Sequence, residues 1–132
     1  MPATILRSHV WKQLSVAVNT AVTEVVDAGG MVSGALFVPL GWNASDLCFL
    51  AAYDSNAYRL DEDTTGDTPA FALLRDATGV ALRISGIVPG TWHLIPAGAL
   101  VMRYLQLQST NVGAITPTPQ ADKRDLILML KS

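Results

Sequence analysis

The sequence predicts an all-β fold: an antiparallel β-sandwich or jelly roll of about eight strands. Three observations carry this expectation. Two stretches, Val38–Asp54 and Ile95–Ser109, each run from a Pro/Gly turn into a segment whose apolar residues alternate or run on continuously. Short strand-like runs recur about every ten residues along the chain. Pro and Gly stand at the joins between them.

In chain order, residues 1–12 show no convincing period. They carry Arg7, His9 and Lys12 without an acid and end beside Trp11, and they read as an N-terminal arm or edge segment. Residues 13–132 read as one sandwich domain. Leu14, Val16 and Val18 alternate with polar or small neighbours, a half-buried strand. Val22, Val25 and Val26 lead to a turn at Gly29-Gly30, and the same valines weaken a helical alternative over Asn19–Asp27. Met31–Val38 is a strand stopped by Pro39. A loop holding Trp42 follows, with a short helix or turn at Asn43–Asp46 capped by Asn43 or Ser45, and then a strand over Leu47–Tyr53.

A short strand at Tyr58–Leu60 precedes the acidic loop Asp61–Asp67. Phe71–Leu74 and Val80–Ile84 are further strands, the latter with Val80, Leu82 and Ile84 on one face and Ala81, Arg83 and Ser85 on the other. Pro89-Gly90 turns the chain into Thr91–Ile95, and the Pro96–Gly98 turn leads to Val101–Gln108. A loop with Gly113, Pro117 and Pro119 comes before the last strand, Leu126–Lys131.

The 132 residues suffice for a core without disulfides or metals. Charged residues make up 15% of the chain and hydrophobic ones 50%, against roughly 25% charged in an average soluble domain. So few charges cover a monomer's surface poorly, and burial by partner chains is the inference: self-association, or assembly into something larger. The net charge of −2 without a basic cluster argues against a nucleic-acid partner. No run approaches the ~20 apolar residues of a membrane span, and residues 1–11 lack the apolar stretch of a secretory leader. The lone Cys48 cannot form an internal disulfide and is expected to be a small core residue.

No catalytic constellation and no cofactor site is expected. Asp61, Asp63 and Gly66 match the first, third and sixth positions of an EF-hand loop, but Ala72 stands where a bidentate Glu is required. The loop reads as a solvated hairpin tip, with a calcium site built from Asp61, Asp63 and Asp67 as the alternative. His9 and His93 are the only histidines, too few for a His-rich zinc site. His93 reads as a wall or core residue. Trp42 and Trp92 lie in or beside turns; each is expected to plug an end of the core, the alternative being that they stack on a sugar.

Val22–Gly30, Pro39–Trp42, Phe49–Asp54 and Ile95–Ser109 together resemble the strand-and-turn pattern of small β-sandwich structural proteins of tailed bacteriophages, capsid decoration (cement) proteins or fibre bases. The resemblance rests on strand and turn grammar and carries no reactive signature. It implies a trimeric virion protein, assembled in the host cytoplasm, that stabilises the head by binding the major capsid protein lattice or other virion proteins. Two docking surfaces are expected on that reading. One is the N-terminal arm with Ile5, Leu6, His9 and Trp11 as anchors; the other is a flat sheet face presenting Arg83, Arg103, Gln106 and Gln108. The competing expectation is a carbohydrate- or receptor-binding module of a phage head or tail fibre that uses Trp42 or Trp92.

Overall fold

The computed structural model describes residues 9–52 and 71–132. These residues form nine strands: β1 (His9–Val16), β2 (Val26–Asp27), β3 (Ser33–Val38), β4 (Asp46–Ala52), β5 (Ala72–Leu73), β6 (Arg83–Ile84), β7 (Thr91–Leu94), β8 (Tyr104–Thr110) and β9 (Arg124–Lys131). A short 3-10 helix, Ala97–Val101, precedes β8. Every pairing is antiparallel. One sheet has the order β1-β9-β3-β7; the other has the order β2-β8-β4-β5, with β6 also paired to β4.

The sandwich follows from alternation. On β1 Leu14 and Val16 point inward, on β9 Leu126, Leu128 and Leu130, and on β3 Leu36 and Val38. The facing sheet contributes Leu47, Phe49 and Ala51 from β4, Leu105 and Leu107 from β8, Val26 from β2 and Ile84 from β6. These residues make one continuous core, the main apolar burial that holds the two sheets together. Trp42 closes it at one end and is 5% exposed. Cys48 is buried and free, as expected of a small core residue.

Residues 9–12, read from sequence as part of an arm or edge segment, are the first half of β1, which stands at one end of its sheet's strand order and runs on unbroken into residue 13. The helical alternative at 19–27, which its valines weaken, does not form, and no helix forms at 43–46. Val22 and Thr23 instead make isolated bridges to Gln108 and Val16, carrying the chain from one sheet to the other. Val80 does not share a face with Leu82 and Ile84: it is exposed, and Ala81 is buried. The cause is the tight Asp76–Val80 turn, closed by the Asp76 N–H donating to the Val80 carbonyl at 2.8 Å, which postpones regular alternation to β6. The strand expected from Val101 begins at Tyr104, because the chain after Pro96 first coils through the 3-10 helix. The strand at Tyr58–Leu60 and the acidic loop lie outside the described residues.

Candidate functional site: an apolar outer sheet face

Among the described residues, the outer face of the β1-β9-β3-β7 sheet leaves Trp11, Trp92 and Leu94 exposed, and the strand registers fix what it presents. Trp11 is aligned with Met129, Met129 with Ala35, and Ala35 with Leu94. Two residues along, Gln13 is aligned with Ile127, Ile127 with Phe37, and Phe37 with Trp92. Successive side chains of a strand alternate faces, so these two rows stand side by side on the surface. Trp11 is 67% exposed, Trp92 51% and Leu94 84%; Met129, Ile127, Ala35 and Phe37 fill the space between them, half-buried. The Phe37 and Trp92 rings lie 5.4 Å apart, inclined by 58°. An open hollow of about 290 Å³ beside the first row is lined by His9, Ser33, Gly34, Ala35, Leu94, Met129 and Lys131.

One end of this face carries a cation and the other a carboxylate that also pairs with Lys123. Lys131, flanked in register by His9 and Ser33, closes one end. Asp125, aligned with Ser15, closes the other. The Ser15 hydroxyl donates to Asp125 Oδ1 at 2.8 Å, and Lys123 Nζ lies 3.7 Å from the same oxygen. The Ser15 hydrogen bond, with Lys123 and Gln13 adding to it, holds the Asp125 carboxyl below the ordinary range, so it is ionised at neutral pH.

The structure distributes the residues singled out from sequence among several places. His9 and Trp11 are on or beside the apolar face, as part of β1 rather than of a free arm; Ile5 and Leu6 lie outside the described residues. Arg83, Gln106 and Gln108 do share a surface, the outer face of the second sheet, since Arg83 and Gln108 are both aligned with Cys48 and Gln106 with Leu50. That surface is largely committed to the fold. Arg83 Nη1 donates to Asp46 Oδ2 and to the Ala114 carbonyl, both at 3.2 Å, and Gln106 Nε2 donates to the Thr23 carbonyl. Arg103 precedes β8, grips Asp27 through Nε and Nη2 at 3.1 Å each, and lies 5.0 Å from the Tyr104 ring centroid.

Trp42 cannot stack on a ligand: it is buried, with its indole N–H directed at the Ser45 carbonyl. Trp92 is exposed rather than plugging the core, because its register opposite Phe37 puts it on the outer row of β7. His93 points to the inner side beside Thr91, its Nε2 3.0 Å from the Thr91 hydroxyl and 3.3 Å from the Val88 N–H, a wall residue.

A second concavity, an open cleft of about 490 Å³, lies between β1 and the Gly29-Gly30 turn and is lined in part by Lys12, Asp27 and Arg103. Its charges answer one another: Asp27 takes Arg103, and Lys12 Nζ reaches the Asp27 carbonyl at 3.5 Å. Among the described residues no three His, Cys, Asp or Glu converge as metal ligands.

The apolar face was missed from sequence, although a signal for it exists. Ala35–Val38 and Leu126–Leu130 are unbroken apolar runs in antiparallel strands, and such a run means that both faces of the strand are meant to be covered. No family model, curated protein or solved structure matches this chain.

Proposed function

We propose that this protein is a structural subunit of a bacteriophage virion, a capsid decoration protein whose apolar outer sheet face is covered when it takes its place in the particle. One observation carries the reading: seven apolar side chains, three of them more than half exposed, occupy adjacent rows of one sheet face. A contiguous patch of that kind on a chain with so few charges is a surface for protein contact. The order β1-β9-β3-β7 facing β2-β8-β4-β5 supports taking the sandwich as a jelly roll, an architecture used by capsid proteins and by lectins. The specific virion role rests on the resemblance of its strand and turn pattern.

The test compares particles made with and without this chain. The reading expects the chain in purified virions by mass spectrometry, and heads that lose DNA at lower temperature when the chain is deleted. Its absence from washed particles, with unchanged heat stability of the deletion virions, would overturn the reading. Trp11→Glu, which leaves the strand pairing intact, should also prevent incorporation. Truncation at residue 12 does not serve, because it removes half of β1.

Trp92 keeps a second reading in view, a glycan- or receptor-binding module. Its ring is exposed, but its neighbour Phe37 is inclined to it, so the two do not make the flat platform that stacking on successive sugars needs. Glycan-dependent quenching of Trp fluorescence, lost in Trp92→Ala, would move this reading to first place.

A further inference from the structure

We infer that the outer face of the four-stranded sheet is covered by the same face of a second copy of this chain, packed about a two-fold axis that crosses the strands at the level of Lys12 and Leu128. The inference names the partner of the face described above and rests on reading that face as a docking surface.

An axis lying in the interface and perpendicular to the strands leaves each strand over its own copy and reverses its direction. The row Trp11–Met129–Ala35–Leu94 then meets the row Gln13–Ile127–Phe37–Trp92 of the second copy, and the reverse contact follows by symmetry. The side-chain sizes suit this exchange. Ala35, the smallest member, faces the large Phe37 ring; Leu94 faces Trp92; Met129 faces Ile127. The charged ends suit it as well, since Lys131 comes over Asp125 twice, once in each direction. A two-fold axis parallel to the strands instead brings Lys131 over Ser33 and leaves Asp125 without a cation from the other copy. Lys131 at one end and Asp125, beside its own Lys123, at the other thus favour the perpendicular axis, in the way that electrostatic complementarity fixes register.

The size of the face sets the strength. Four strands by seven residue positions make a platform about 19 Å by about 20 Å. That is about 400 Å² a side, roughly half of a standard interface, so the association is weak and reversible.

Sedimentation of the purified full chain from about 1 to about 300 μM tests this. The expected result is a shift from the 14.1 kDa chain to twice that mass. Leu94→Glu, at a site exposed enough to leave folding intact, should weaken the pair by at least ~10-fold with an unchanged circular dichroism spectrum and melting temperature. Lys131→Glu or Asp125→Lys alone should weaken it, and the two together should restore it to within ~3-fold of the parent. Monomer throughout the range, a trimer, or a dimer indifferent to Leu94→Glu would each overturn the pairing. So would a charge exchange that fails to restore it. The virion reading fails separately, by absence of the chain from particles.

Discussion

Arg83 and Asp46 form an ion pair, 3.2 Å between Nη1 and Oδ2, in which the Asp46 side chain is 2% exposed and the Arg83 side chain 20%. The same Asp46 oxygen accepts the Gly113 N–H at 3.0 Å, so one carboxylate ties β4 to β6 and to the loop after β8. A charge buried this far is costly once its partner is gone. Replacing Arg83 by Met should therefore destabilise the fold by about 3 kcal/mol, and the double variant with Asp46→Asn should lose less than the two singles added. Urea unfolding of the four proteins measures this; additive losses would remove the pair from the account.

Gln120 occupies the same role among neutral groups. Fully buried, it accepts the Asn43 N–H at 2.9 Å through Oε1 and donates from Nε2 to the Ser109 and Ser45 hydroxyls at 3.0 and 3.2 Å. Gln120→Ala leaves a cavity and at least one unpaired buried group, an expected loss of about 2–4 kcal/mol. Gln120→Glu keeps the volume yet places a carboxylate there, and should cost at least as much. A denaturation midpoint within error of the parent for either variant would contradict this.

The sandwich was legible in the sequence because its signals are local: alternation at Leu14–Val16, Gly at 29 and 30, and Pro at 39, 89 and 96. The site was not, for two reasons. Arg83, Arg103 and Gln106 look like surface groups in a linear reading, and their partners Asp46, Asp27 and Thr23 are 37, 76 and 83 residues away. The apolar face depends on the register of four strands that span the chain from His9 to Lys131, and no local pattern states which strands are neighbours. Trp92 shows the limit most plainly. Its sequence context is that of a core plug, and only its register opposite Phe37 puts it on the outer face.

Acid should loosen the fold. The Asp27 carboxyl is held below its ordinary value chiefly by the Arg103 hydrogen bond and the Gly29 N–H, Asp76 by the Thr78 hydroxyl and the N–H groups of Val80 and Thr78, and Asp125 by Ser15. A carboxyl whose folded value lies below its unfolded one, about 3.9, binds its proton more readily in the unfolded chain. Its contribution is present above that value and disappears as pH falls through the folded value. The melting temperature should thus be level from about pH 7 to about pH 5 and fall below about pH 4. Asp76→Ala should flatten the fall. An unaltered slope would locate the acid sensitivity elsewhere.

Gly34 of β3 is aligned with Leu130 of β9. A Cβ there would lie 2.7 Å from the Met129 carbonyl oxygen and 2.9 Å from Leu130 Cδ2. The first contact is with backbone, which cannot swing aside as a side chain end does. Gly34→Ala should push the strands apart at a cost of about 1–3 kcal/mol, whereas Gly79→Ala, with open space around it but a φ of +86°, should lose only the conformational penalty. If the two variants melted together, strand approach at Gly34 would not be limiting.

Cys48 gives a probe of global opening that needs no label. It lies in the middle of β4, fully buried, with its sulfur 3.5 Å from the Thr110 hydroxyl, and β8 and β6 pair with it on either side. Its side chain is on the outer side of β4, in register with Arg83 and Gln108, so a thiol reagent reaches it only when the packing around β4, β6 and β8 opens. Modification by a disulfide reagent should therefore run at the rate or equilibrium of unfolding, slower than a free thiol by a factor that rises with stability, up to about 10³ or more. The Gln120→Ala and Arg83→Met variants should accelerate it in proportion to the stability each loses. Rapid labelling of the parent, unchanged by those substitutions, would mean that the β4 centre opens locally while the rest of the sandwich stays closed.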